Sequence, residues 1–204
     1  MELHTEQGGA TPGRKYNLEV LNKSAIVLLV ACWESFIEDL AVIAFDTLLT
    51  SAKTHSVFPF DVLTLASKAL KDSQDNRHVW GLAGDGWRNV LNNHKASVFA
   101  QYVGKLNTPK PKQVDALMTS LIGITSISRQ WSWRGMSADA ARDTLEKLVE
   151  LRGSIAHRVS AGNSVLKADV TDNTAFVYKL AVISSNRVLA YVQAKTDNGS
   201  CQTL

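Results

Sequence analysis

Cysteine, proline and ready-made catalytic motifs are scarce in this sequence, and each scarcity narrows the range of possible functions. The chain has only two cysteines in 204 residues. Cys32 lies in an apolar run and Cys201 in a polar tail, so we expect no disulfide within the chain and a reduced, cytoplasmic protein. The sequence contains no HExxH, no CxxC pair, no phosphate-binding glycine loop and no GxSxG. We therefore expect neither a metal ion nor another cofactor.

Long apolar runs are also missing, which argues against a membrane protein. The longest uninterrupted apolar stretch extends from Ala25 to Trp33, whereas a membrane-spanning helix needs about 20 such residues. Acidic residues follow this stretch directly, at Glu34, Glu38 and Asp39. The N-terminal segment has no apolar core of the kind found in signal peptides. We expect a soluble protein with no membrane partner.

A strong excess of charge of one sign is absent as well. The formal net charge is +3 at pH 7, and the pI is about 8.9. A net positive charge of this size permits nucleic acid as a partner. It is smaller than the positive charge that would indicate such a partner. The hydrophobic share of 45% and the charged share of 20% are those of an ordinary globular protein. A chain of 204 residues is long enough for one domain with a sizeable core.

What the sequence does contain is a series of helical patterns. Glycines and a proline in residues 1–15 predict a flexible lead-in, residues 16–195 a single helical domain, and residues 196–204 a frayed tail. Ser137 is a candidate N-cap for the fifth helix and Asp172 for the last one. No run long enough for a β-sheet occurs, which predicts an all-α bundle of four to six helices. We place the helices at about residues 18–52, 61–72, 86–106, 114–122, 138–158 and 175–194.

The segment LVELRGSIAHR, from Leu148 to Arg158, places an arginine among apolar residues. At about 100° per residue, Arg152 lies within roughly 60° of an apolar stripe on its helix. Burying a guanidinium is costly unless a carboxylate and hydrogen bonds compensate for the lost water. His157 projects about 140° from Arg152, toward the edge of this face, where a group that titrates near neutral pH can meet solvent or a partner. The stripe consists of Ala141, Leu145, Leu148, Val149, Ile155, Ala156 and Val159.

Glu34 is the matching charged residue on the first helix. The run from Ser24 to Leu49 is apolar nearly all round, which is typical of the central helix of a bundle. Glu34 lies inside its apolar stripe, so we expect this helix to pack against the fifth one and Glu34 to pair with Arg152. A purely structural salt bridge is the alternative to a functional pair. The stripe consists of Val27, Val30, Ala31, Ile37, Ala41, Phe45 and Leu48.

These two segments resemble the HEPN family, and more narrowly its RiboL-PSP-HEPN group. The matching stretches extend from Ala25 to Leu40 and from Trp131 to Arg158. The family signature is an Arg, four to six residues and then a His at the end of a helix; Arg152 and His157 fit it with four intervening residues. Gly153 is a departure, because many members carry Asn, Asp or His directly after the Arg. The resemblance implies a HEPN-like helical bundle that forms a symmetric homodimer, in which two Arg-x4-His segments face each other across a cleft.

The resemblance also implies a chemistry. Many HEPN proteins with this motif are metal-independent endoribonucleases of toxin–antitoxin, abortive-infection or other anti-phage systems. Cleavage of RNA by its own 2′-hydroxyl needs proton transfer, for which His157 would be the acid or base, and stabilisation of phosphorane charge, for which Arg152 would serve. Glu34 would orient Arg152, and Ser154 and Arg158 would contact the RNA. The expected partners are therefore RNA, a second copy of the chain and an antitoxin or defence-system protein.

Arg134 is a further candidate for contact with RNA. It follows Trp131 and Trp133 in the sequence, and tryptophan rings can stack on unpaired bases. The alternative is that these tryptophans anchor a loop to the core of the bundle.

A second class of function stays open. The chain could be a catalytically silent HEPN dimer that acts as an interaction or regulatory module in a defence or toxin–antitoxin complex. Gly153 favours this alternative, because the polar side chain that many members carry after the Arg is missing here.

Overall fold

The computed structural model describes residues 16–102, 109–157 and 164–200, and within these ranges the protein is built from helices. Seven α-helices and three short 3-10 helices occur there, with no β-strand among them. The predicted all-α fold class is therefore confirmed. The α-helices are α1 (Tyr16–Ser51), α2 (Phe60–Ala66), α3 (Lys68–Lys71), α4 (Gly86–Tyr102), α5 (Pro111–Ile122), α6 (Ala138–His157) and α7 (Lys167–Ser200).

Helix α1 is the central helix of the bundle, and α5, α6 and α7 all pack against it. Its buried stripe is rotated by about 45° from the stripe centred on Glu34 that the sequence predicts. Ala31 is exposed and Val27 only half-buried, because the rotation turns the large Trp33 into the core instead. The middle of the buried stripe consists of Ile26, Val30, Trp33, Ile37, Ala41, Ala44, Phe45 and Leu48. None of the helices in the described ranges combines the length and the apolar character that crossing a membrane requires.

The sequence predicts the start of α6 correctly and the start of α7 wrongly. Ser137 caps α6, since its Oγ accepts a hydrogen bond from the Ala140 amide at 3.1 Å. Helix α7 begins at Lys167 instead of at about residue 175, because the side chain that caps its first turn is that of Asp169 and not that of Asp172. The carboxylate of Asp169 accepts a hydrogen bond from the Leu166 amide at 2.8 Å, as the third residue of a capping box does. The helix extends to Ser200, into the segment for which the sequence predicts a frayed tail.

The connection between α5 and α6 is fastened to the core by Trp131. The indole Nε1 donates a hydrogen bond to Ser184 Oγ on α7 at 2.9 Å. The ring packs edge-on against Trp33 of α1, with 5.8 Å between the centroids. For Trp131 the core-anchor alternative is therefore correct, and the ring is buried away from any base.

The short helices α2 and α3 and the start of α4 form a layer at the C-terminal end of α1. Phe58 precedes α2 and packs against Phe45 of α1, with a centroid distance of 5.2 Å. Arg88 of α4 donates hydrogen bonds to the carbonyl oxygens of Leu49 and Ala52. The last carbonyls of an α-helix lack partners within the helix, so Arg88 joins this layer to α1.

Candidate functional site

Arg152 lies half-buried in the second half of α6. The apolar residues that precede it on the core-facing side are buried as the sequence predicts. Beyond Arg152 the residues of the predicted stripe are less buried. Ile155 is half-buried and Ala156 is exposed, and Val159 lies outside the described residues. The guanidinium therefore lies at the border between the core and solvent. The buried residues are Ala141, Leu145, Leu148 and Val149.

Two acidic side chains of α1, Glu34 and Glu38, lie one helical turn apart and are half-buried. Burial raises the pKa of Glu34, the nearby Glu38 raises it further, and Arg152 lowers it. Burial also raises the pKa of Glu38, with a further contribution from Asp39. The effect of Arg152 on Glu34 means that the guanidinium of α6 and the carboxyl of α1 are within electrostatic reach of each other.

A direct ion pair between Glu34 and Arg152 is not among the salt bridges of the described residues. The structure thus corrects the predicted pairing to an interaction through space. The physical reason is the rotation of α1. Because Trp33 and Ile37 occupy the core, Glu34 is left half-buried at the edge of the helix interface.

Glu38 belongs to this site, although the sequence analysis did not place it there. Its spacing from Glu34 was the available signal, since residues four apart in a helix lie on the same side. Two carboxylates at this spacing repel each other, which is the physical cause of the contribution of Glu38 to the pKa of Glu34. The site therefore combines the guanidinium of Arg152 with two neighbouring carboxyl groups, of which Glu34 is the one whose pKa Arg152 lowers.

The residues after Arg152 are open to a ligand. A Cβ atom built on Gly153 would meet no other atom within 4 Å. Ser154 is exposed, and its Oγ donates a hydrogen bond to the Leu151 carbonyl at 2.8 Å. The Ser154 hydroxyl still has lone pairs that can accept a hydrogen bond.

His157 is the last residue of α6, and its side chain lies outside the described residues, as does the whole of Arg158. The backbone nevertheless places both motif residues on one unbroken helix. At 1.5 Å per residue, the Cα of His157 lies about 7.5 Å further along the axis than that of Arg152.

Arg134 is not brought to this end of α6. It is exposed in a tight turn closed by the Trp133 and Met136 backbones, with hydrogen bonds of 3.0 and 2.9 Å. Helix α6 begins shortly after this turn, and from Ala138 to Arg152 it rises by about 21 Å. The RNA-contact role predicted for Arg134 would therefore need RNA that extends along the length of α6.

The start of α5 borders the site. Lys110 Nζ and Glu150 Oε1 form an ion pair of 2.8 Å, and Glu150 lies just before Arg152 in α6. The indole of Trp33, next to Glu34 in the sequence, donates a hydrogen bond to the Pro109 carbonyl at 3.2 Å. These contacts hold three helices together around the candidate site. The ion pair engages the ammonium group of Lys110 next to the site.

The comparison with known families agrees with this geometry. The sequence model of the RiboL-PSP-HEPN family matches residues 3–188, and the chain therefore belongs to this HEPN family. A search of curated proteins and a search of solved structures each find no match. Membership of the family indicates an RNA-related, nuclease-like function. In the described part of the chain, no group of three His, Cys, Asp or Glu side chains is arranged to hold a metal ion.

Proposed function

We propose that this protein is an endoribonuclease that cleaves RNA without a metal ion, and that it acts as a toxin or as an effector of anti-phage defence. The main support for the proposal is the position of Arg152. It lies at the border of core and solvent on the helix that ends at His157, within electrostatic reach of Glu34. A permanent cation next to a residue that titrates near neutral pH is what cleavage by the 2′-hydroxyl requires.

In this reaction the ribose 2′-oxygen forms a bond to phosphorus, and the bond from phosphorus to the 5′-oxygen breaks. His157 accepts the proton of the 2′-hydroxyl or donates one to the leaving 5′-oxygen. Arg152 stabilises the negative charge that develops on the phosphorane oxygens. Glu34 is a positioning residue for Arg152, while Ser154 and Arg158 contact the RNA backbone. The upstream fragment then ends in a 2′,3′-cyclic phosphate or in the 3′-phosphate that its hydrolysis yields.

The proposal includes a cytoplasmic homodimer in which the two α6 ends form one composite site. An isologous two-fold interface is the commonest way in which a small protein assembles with itself. Exposed apolar side chains on α1, among them Leu28 at 65% and Ile43 at 63% exposure, support the presence of a protein partner. An antitoxin or another defence-system protein would regulate the cleavage.

The second candidate is a catalytically silent dimer that serves as an interaction module. The open space beside Gly153 favours it. A Cβ at this position would meet no atom within 4 Å, yet this chain carries no side chain there, so one group able to bind the phosphate or assist His157 is absent.

Cleavage of single-stranded RNA by purified protein, with EDTA present, tests the proposal. The His157→Ala variant should cleave slower than wild type by about 10²–10⁴-fold, which is the usual contribution of a positioned acid or base. The matched control is His78→Ala, because His78 is exposed in a 3-10 helix of the α2–α4 layer, where its ring contacts Ser73. This control should keep wild-type activity.

Expression in bacteria provides a second readout, in which wild type slows growth and the His157→Ala variant does not. Intact RNA after incubation with well-folded wild-type dimer, together with no growth defect, would support the silent module. Activity that EDTA removes would contradict the metal-independent mechanism.

A further inference from the structure

A cleft of about 700 Å³ lies between α2, α3 and the start of α4. We propose that this cleft, called the α2–α4 cleft below, binds a small organic anion with an apolar body. Sites for small ligands in proteins typically enclose roughly 300–1,000 Å³, so the size fits a compact molecule better than a protein surface. The proposal is independent of the endoribonuclease activity.

The floor of the cleft is apolar and continuous with the core. Leu91, which is 1% exposed, and Trp87, which is 8% exposed, contribute to it together with Leu63 and Ala66. At the rim, Phe60 exposes 80% of its surface. Because exposed aromatic surface is unfavourable in water, an apolar ligand body that covers Phe60 and the floor gains the hydrophobic contribution of both.

The polar groups around the cleft are cationic or neutral, with one exception. Lys53, Lys71 and His55 contribute to the lining, and no salt bridge of the described residues includes Lys53 or Lys71. Asp85 is the one acidic side chain of the lining, and it lies 3.6 Å from Nε of Arg88. The charge that complements this rim is negative, which selects an anion over a neutral or cationic ligand.

Arg88 also removes a feature that would repel an anion. The carbonyl end of a helix carries partial negative charge, and α1 ends beside the cleft at Ser51. Arg88 donates hydrogen bonds to the carbonyls of Leu49 and Ala52 at this end. Its guanidinium also stacks on Trp87, 4.3 Å from the ring centroid. The terminal carbonyls are thus satisfied by a cation, and the lysines at the rim dominate the local charge.

The cleft is distant from the proposed RNA site. Glu34 and Ser51 lie on the same straight run of α1, and the helix rises by about 25 Å between them. A ligand in the cleft therefore contacts neither Arg152 nor the end of α6. This distance allows binding in the cleft to be measured without RNA and without reference to cleavage.

Two fluorescent probes test the proposal with the full chain. Anilinonaphthalene sulfonate has an apolar aromatic body and one negative charge, and N-phenylnaphthylamine has nearly the same rings without the charge. We expect saturable binding of the sulfonate with a stoichiometry of one per chain, and at least about tenfold weaker binding of the neutral probe, since a tenfold change corresponds to the gain expected from one or two partly exposed charge contacts.

Charge and shape variants locate the binding site. The double variant Lys53→Glu with Lys71→Glu should weaken sulfonate binding by about tenfold or more. Lys71→Glu alone is measured beside its matched control Lys68→Glu, which makes the same charge change on α3 one turn from Lys71, at a position outside the cleft lining. Thr64→Trp fills the cleft from the exposed side of α2 and should abolish binding. Circular dichroism and melting curves establish that each variant is folded.

Equal affinity for the two probes would overturn the proposal, as would sulfonate binding that the double variant leaves unchanged. If the double variant instead changes the mass of the particle in light scattering and not the probe affinity, the cleft is a surface between protein chains and the small-anion proposal is wrong. None of these measurements uses RNA, so their interpretation does not depend on whether the endoribonuclease proposal is correct.

Discussion

Arg152 on α6 lowers the pKa of Glu34 on α1, whereas burial and the neighbouring Glu38 raise it. The net result is a raised pKa, so burial and the repulsion by Glu38 together outweigh the attraction to the guanidinium. The acidic pair on α1 is therefore not optimised for stability of the fold. Charged groups that lower the stability of the fold are typical of functional sites. The acidic pair on α1 therefore agrees with the RNA-related role of the family.

The raised pKa values of Glu34 and Glu38 predict a specific dependence of stability on pH. Both carboxyls ionise near the ordinary value of 4.5 in the unfolded chain and at higher pH in the folded protein. Their stabilising contribution is complete below pH 4.5 and is lost as the pH rises through the raised values. Replacing both residues by Gln should therefore increase the free energy of unfolding at pH 7.5, and this gain should vanish near pH 4.5.

Urea unfolding at the two pH values measures this difference between wild type and the Glu34→Gln, Glu38→Gln double variant. Glu146→Gln is the control, because Glu146 is exposed on the outer side of α6. A double variant that is less stable than wild type at pH 7.5 would mean that attraction to Arg152 exceeds the burial and repulsion of the two carboxylates.

Two glycine-to-alanine changes should alter stability in opposite directions. Gly153 lies inside α6 with open space around its Cβ position, so Gly153→Ala should raise the free energy of unfolding by about 0.5–1 kcal/mol. Gly123 ends α5 with φ of 75°, and a Cβ there would collide with Pro59. Gly123→Ala should lower the free energy of unfolding by more than about 1 kcal/mol. Chemical denaturation of the two variants in parallel checks both signs.

Gly153→Asn distinguishes the two proposed functions. There is room for a Cβ at this position, and an asparagine adds a polar group next to Arg152. If the wild type is a silent module, this variant should gain cleavage of single-stranded RNA that His157→Ala removes again. If the wild type is already active, the same variant should change its rate by less than about tenfold, because the acid–base group and the phosphorane contact are then in place. Ser154→Asn, one residue further along the same turn, is the control for a general effect of an added amide.

Arg88 is expected to stabilise the fold through its contacts with the end of α1. Arg88→Ala removes charged hydrogen bonds to the Leu49 and Ala52 carbonyls and should lower the free energy of unfolding by about 1.5–3 kcal/mol. Arg77→Ala is the comparison, because Arg77 pairs only with Asp75 among the described salt bridges and both are solvent-accessible. Its melting temperature should match that of wild type. Equal effects of the two changes would show that the carbonyl contacts of Arg88 contribute little.

A composite site in a homodimer predicts a mass and a complementation. Light scattering at micromolar concentration should give about twice the chain mass of 22.3 kDa. Mixing inactive Arg152→Lys protein with inactive His157→Ala protein should restore part of the activity as subunits exchange, since the mixed dimer then holds one intact Arg and one intact His. A monomer, or mixed dimers that form without any gain in activity, would contradict a site shared between two chains.

The helices could be predicted from the sequence because they depend on local patterns, and the Arg152–His157 motif is itself such a pattern, whose role stays a prediction. An apolar period of 3.6 residues produces a helix almost wherever it occurs, and a serine before such a run caps it, as Ser137 does. The start of α7 was missed because Asp172 fits the N-cap rule by sequence, whereas in the structure Asp169, inside the first turn, accepts a hydrogen bond from the Leu166 amide.

The rotation of α1 and the form of the Glu34–Arg152 interaction were decided only by the tertiary structure. A helix that is apolar nearly all round gives no local signal for which side faces the core. That choice followed from Trp33, whose ring meets Trp131 and whose indole reaches the Pro109 carbonyl, contacts between segments far apart in the chain. Burying this large ring moved Glu34 to the edge of the interface, because adjacent residues on a helix point about 100° apart and Trp33 occupies the direction of the core. The sequence therefore determined which charges the bundle carries, and packing determined how closely they meet.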